Sequence, residues 1–69
     1  MDFKLKTEFI ELDNVLKAAQ LVGSGGEAKQ YILARAVKVN GEPETRVRRK
    51  LRAGDRVEFK GEVICLLRM

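Results

Sequence analysis

The dipeptide Asn40-Gly41 constrains this chain more than any other feature. It follows Val37-Lys38-Val39, where apolar and polar residues alternate as in a half-buried strand. A two-residue type I′ turn needs positive φ at both central positions, and Asn followed by Gly tolerates this best. A hairpin is therefore expected, with Glu42 to Val47 as the returning strand and Pro43 near its start, where a missing amide does least harm. Ala53-Gly54-Asp55 reads as another turn, and Arg56 to Phe59 alternates again with Val57 and Phe59 inward. Gly61 interrupts, and Val63 to Leu67 reads as a last apolar strand, with Cys65 expected in the core. At the other end Phe3, Leu5 and Thr7 alternate with lysines, which suggests an edge strand. Phe9 to Leu12 is a second short apolar stretch.

Between these strands the period changes. Leu12, Val15, Leu16 and Ala19 recur at helical spacing. A helix is expected over 13–21, with Asp13 as its N-cap and Gly23 as the left-handed residue after its end. Ser24 with Glu27 three residues on is a capping-box pattern. It opens a second helix over 25–34, with Ala28, Tyr31 and Ile32 on its apolar stripe. The glycines of "GSGGE" also permit an anion nest at that helix start. Glu27 in the first turn opposes an anion, so structural capping is the better reading. The order predicts an α+β fold, with two short helices packed on one side of a small antiparallel sheet of four to five strands. At 69 residues a single domain over 1–69 is expected.

Charge is unevenly spread. Residues 1–34 carry four basic groups and five acidic ones, whereas residues 35–60 carry nine and four. Arg46, Arg48, Arg49, Lys50 and Arg52 follow one another with no acid until Asp55. In an extended chain residues of equal parity share a face. Arg46, Arg48, Lys50 and Arg52 would then form an outward row, anchored by inward Val47 and Leu51, with Arg49 as the outlier. Such a row suits phosphates, since each neutralised phosphate releases counterions. It could instead be a solvated hairpin whose charges block edge-to-edge aggregation. In the second helix Lys29 is expected at the border of the buried face. Arg35, at the helix end, is expected to swing toward the hairpin and act with Arg48.

The composition excludes much. The chain has no histidine, one cysteine and one serine, so no catalytic triad and no Cys/His metal site can be assembled. No enzymatic activity, metal, cofactor or small-molecule substrate is expected. No apolar run is long enough to span a membrane. The N-terminal MDFKLKTEF is charged throughout, so no signal peptide is expected. The lone cysteine fits a reducing cytoplasm. Four aromatic residues leave little for stacking single-stranded bases, so a folded or double-stranded RNA fits better.

Several residues in order resemble a known family. Leu12-Asp13 with Leu16, Glu27-Ala28-Lys29 with Ile32, Val37-Lys38-Val39-Asn40-Gly41, Lys50-Leu51, and Gly54-Asp55 with Val57 and Phe59 are similar to the S-four RNA-binding domain. The likeness runs from about Ile10 to Glu62 and is strongest to its small stand-alone bacterial members. It implies an RNA-binding face of two helices and a following strand, the αL motif, and structured ribosomal or transfer RNA as partner. Glu11 departs from an arginine common in the family, Gly25-Gly26 from a pair such as Arg-Ser, and Arg35 from a glycine. The expected RNA-binding residues are Lys29, Arg35, Lys38, Arg46, Arg48, Arg49, Lys50 and Arg52. A monomer is expected. The alternative is a protein-interaction module whose basic face binds an acidic or ribosomal protein.

Overall fold

In a computed structural model describing residues 1–69, the Asn40-Gly41 turn has positive φ at both positions, 53° and 88°. It joins β3 (Val37–Val39) to β4 (Glu42–Pro43), with Val39 opposite Glu42. Lys60-Gly61 makes a turn of the same signs, 52° and 81°, between β6 (Arg56–Phe59) and β7 (Glu62–Arg68). Strand β1 (Asp2–Leu5) lies at the sheet edge, giving the order β1-β7-β6-β3-β4. A separate antiparallel pair joins β2 (Ile10–Glu11) to β5 (Lys50–Leu51).

The α+β class and the two helices are as expected, but the main sheet is mixed. β1 runs parallel to β7, with Asp2 opposite Cys65 and Leu5 opposite Arg68. Alternation along a strand sets which side chains face inward and says nothing of the partner's direction. The same parity corrects the expectation for Cys65. Ile64 and Leu66 are buried, so Cys65 lies on the outer face with Val63 and Leu67 and is only half-buried.

One hydrophobic cluster fills the space between sheet and helices. Val37, Val39, Val57, Phe59, Ile64, Leu66 and Leu5 project from the sheet against Leu12, Val15 and Leu16 of α1 (Leu12–Ala18) and Ala28 and Ile32 of α2 (Gly25–Leu33). Both helices end by passing through a left-handed residue, Gln20 at φ 61° and Arg35 at φ 63°. In each, an amide reaches five residues back, Leu21 to the Leu16 carbonyl and Ala36 to that of Tyr31, as in a Schellman motif. Thus α1 stops at Ala18, before the expected 21, and Gln20 takes the role assigned to Gly23. Tyr31 is half-buried and packs edge-on to Phe59 at 4.8 Å.

The N-termini differ more. Ser24 caps α2 as expected, its Oγ accepting from the Glu27 amide at 3.2 Å. Asp13 does not cap α1; the N-cap position is Glu11, whose side chain accepts from no helix amide. The Leu12 and Asp13 amides instead donate to the carbonyls of Arg49 and Val47, at 2.9 and 3.1 Å. The orphan donors of that helix end are therefore satisfied from a distant loop.

Candidate nucleic-acid interface

The loop that caps α1 is the basic run itself. The returning hairpin strand ends at Pro43, rather than continuing to Val47. The reason is Glu44, whose carboxylate is buried at 7% exposure. It accepts from the amides of Thr45 and Arg46, from Nε and Nη2 of Arg46, and at 2.6 Å from Nη1 of Arg49. Binding its own next two amides bends the chain out of the strand. A turn then follows, in which the Arg49 amide donates to the Arg46 carbonyl. The hydrogen bond from the Arg46 side chain, ahead of the cost of burial, holds the Glu44 carboxyl down at about 2. The same contact raises Arg46 above its ordinary value.

This geometry breaks the outward row expected for residues 46–52. Side chains alternate only in an extended chain, and the turn resets their direction. Arg46 and Arg48 remain 71% and 77% exposed, but Arg49 is 30% exposed and folded onto Glu44. Lys50 stands 4.9 Å over the Phe9 ring. Arg52 lies past the end of β5, in a different depression from Arg48.

Arg48 and Lys29 belong together. Both line a cleft of about 440 Å³ between the N-termini of α1 and α2 and the Val47-Arg48 turn. Glycines 25 and 26 form part of its wall, and a Cβ on Gly25 would lie 3.8 Å from Lys17 Nζ. Glu11, Asp13 and Asn14 line the other side, and Glu11 accepts an ion pair from Arg48 Nε at 3.4 Å. Arg35 does not line this cleft. It closes the far end of α2, so the expectation that Arg35 acts with Arg48 while Lys29 stands apart is reversed in placement. Lys38 does not line it either and stands on the outer sheet face, opposite Glu58 and Pro43. Its depression is shared with Glu58 and Lys60.

Of the eight expected residues, the structure brings Lys29 and Arg48 into one cleft, with Arg46 on the same loop. Arg35, Lys38 and Arg52 lie elsewhere. Sequence reasoning missed the role of Glu44, and it marked Glu11 as a departure from the family without its ion pair to Arg48. Glu44 had a signal, as the last acid before the basic run, directly after Pro43.

The chain has the helix pair, hairpin and cleft order of a known domain, and the S4 domain family model matches residues 3–66. The chain belongs to the S4 domain family. It is 46% identical over 57 residues to the probable ribosome maturation protein RlbA of Bacillus subtilis, covering 83% of this chain and 80% of that protein. It is also similar to YbcJ of E. coli, whose solution structure was described as revealing an αL motif involved in RNA binding. That match has a TM-score of 0.73 and 39% identity, over 96% of this chain and 85% of YbcJ. Within this S4 domain, two of the three departures noted above, Glu11 and Gly25-Gly26, meet in the cleft. Glu11 draws in Arg48, and Gly25-Gly26 leave the α2 end uncovered. No helix is long and apolar enough to cross a membrane.

Proposed function

We propose that this S4-domain chain is a non-enzymatic RNA-binding protein that docks the α1–α2 cleft and its basic turn onto structured RNA, acting over 1–69 as one unit. The observation that carries the reading is the fixed turn. Glu44 and the two α1 amides hold its backbone, while Arg48 shares the cleft with Lys29 and the Arg46 side chain, held by Glu44 yet 71% exposed, stands on the same loop. Cations held in place lose less freedom on binding a phosphate than free ones do. Arg also offers two donors in one plane, which matches phosphate oxygens. The shallow cleft offers no pocket for reading bases, which favours recognition by shape and backbone. Ribosomal RNA is the better target than transfer RNA because the RlbA relative carries a ribosome-maturation name. A bacterial cytoplasm and a monomeric state complete the reading.

The test is binding of the purified protein to bacterial ribosomal RNA and to bulk transfer RNA over a salt series. Polyanion binding gives a log–log slope of roughly −0.7 to −0.9 for each phosphate contacted. Arg46→Ala with Arg48→Ala and Lys29→Ala should flatten that slope by about 2 to 3 while the fold persists. Unchanged binding overturns the cleft. A wild-type protein that prefers an acidic protein to either RNA establishes the interaction-module alternative. Crosslinking in cells, followed by sequencing of the bound RNA, separates ribosomal from transfer RNA.

A further inference from the structure

The larger concavity of the surface, about 700 Å³, lies away from the α1–α2 cleft. The one parallel strand pair creates it. Because β1 and β7 run in the same direction, their C-terminal ends meet, with Leu5 opposite Arg68. Lys6 therefore emerges beside Arg68. The turn after β5 is joined to the same place, since the Gly54 amide donates to the Leu66 carbonyl at 2.8 Å and the Leu66 amide to that of Asp55 at 3.0 Å. Asp55 fixes this turn by accepting from the Arg52 amide at 2.9 Å. Lys6, Arg52 and Arg68 thus converge on one depression from three separate segments.

All three residues are exposed. None forms an ion pair within the chain, whereas Arg46, Arg48, Arg49 and Arg56 all do. Glu8 is the one acidic side chain in the wall, and it pairs with none of them. The Thr7 hydroxyl is occupied by the Phe9 carbonyl at 2.7 Å. Three unpaired cations brought together in a concave surface repel one another, and a bound polyanion relieves that repulsion. Arg52 also ties this depression to the first cleft. It is four residues from Arg48, so their Cα atoms are no more than ~14 Å apart. One folded RNA can span that distance.

We propose that Lys6, Arg52 and Arg68 form a second phosphate-binding site that grips the backbone of the same RNA. This rests on the RNA-binding reading above. The chain then holds RNA at both ends of the 48–52 segment, and the parallel placement of β1 is what builds the second grip.

The test compares three proteins on purified bacterial ribosomal RNA over a salt series. One is wild type. One carries Lys6→Gln, Arg52→Gln and Arg68→Gln. The third carries Lys4→Gln, Arg56→Gln and Lys60→Gln, an equal loss of charge outside both clefts. Circular dichroism and thermal unfolding check that each is folded; the single variants replace the triple if it is not. The second-site variant should lose affinity about tenfold or more and flatten the slope by about 2 to 3, with a much smaller change in the control. Equal losses in both variants overturn the site, because general charge then explains the effect. Wild-type affinity and slope in the second-site variant overturn it while leaving the first cleft standing. If wild type binds no ribosomal RNA, the RNA-binding reading fails and this site falls with it. Displacement by polyglutamate but not by RNA identifies an acidic protein partner and also overturns the proposal.

Discussion

The two helices begin beside the same cleft but are capped by different means. For α2 the cap is local: Ser24 lies next to the helix and serves the Glu27 amide three residues on. For α1 it is remote, since the carbonyls that receive the Leu12 and Asp13 amides come from Arg49 and Val47. A local cap survives loosening of the rest of the fold. A remote cap exists only while the basic turn is seated, so the start of α1 and the display of Arg46 and Arg48 are one structural unit. The seating is reciprocal, because the loop carbonyls are satisfied by the same bonds.

The strongest way to break the comparison is to unseat the turn. Leu51 is fully buried in β5 and pairs in register with Ile10. Leu51→Ala should cost about 2–5 kcal/mol, as for other large-to-small core changes. Amide hydrogen exchange should then accelerate at Leu12 and Asp13 more than at Glu27. Equal acceleration at both helix starts would show that the caps do not differ in kind.

Next in size is Glu44. Glu44→Gln keeps one acceptor but loses the charge that holds Arg46 and Arg49. A loss of about 1–2 kcal/mol is expected, at the low end for charged hydrogen bonds because Arg46 stands in solvent. The sign of its pH dependence follows from the lowered pKa. A carboxyl ordinarily at 4.5 and held at about 2 in the fold contributes its full stability above 4.5. That contribution is lost as pH falls from 4.5 toward 2. Chemical denaturation across this window should show wild type losing its advantage over Glu44→Gln. A constant difference across the window would mean that the ionised carboxylate is not what seats the turn.

The difference between the caps also explains what could be read from the sequence. Ser24–Glu27 and Asn40-Gly41 were legible because each carries its reason within four residues. The left-handed residues Gln20 and Arg35 were harder, since neither is a glycine; the five-back hydrogen bonds and packing impose that conformation on them. The row assigned to residues 46–52 failed for a tertiary reason. Glu44 turns the chain, and only the folded structure shows where its carboxylate goes. The direction of β1 was likewise hidden, because inward Phe3 and Leu5 fit either orientation. The family likeness fixed the order of elements and left the grouping of cations to geometry.

Removing the local cap should do less. Ser24→Ala should cost about 1 kcal/mol. Exchange should accelerate at Glu27, with Leu12 and Asp13 unaffected, the mirror image of Leu51→Ala. RNA affinity measured on folded protein should barely change. A collapse of affinity at unchanged stability would revive the anion nest at Gly25-Gly26.

The smallest expected effect separates the cations. Lys29 and Arg48 share the cleft, so they should contact neighbouring phosphates of a bound RNA. Arg35 lies six residues along the chain from Lys29, which is ~9 Å along a helix axis at 1.5 Å per residue, beyond the far end of α2. Substitutions at distant sites add, and those acting on a shared partner do not. In double-mutant cycles on ribosomal RNA at fixed salt, Lys29→Ala with Arg48→Ala should couple by about 0.5 kcal/mol or more, whereas Arg35→Ala with Arg48→Ala should stay below about 0.3 kcal/mol. Glu11 supplies an internal check. It lies 3.4 Å from Arg48 and competes with any phosphate for that guanidinium. Glu11→Gln should therefore raise affinity modestly, and only while Arg48 is present. If the gain persists in Arg48→Ala, Glu11 acts as a general repulsive charge. The α1 start would then no longer be the element that tunes the cleft.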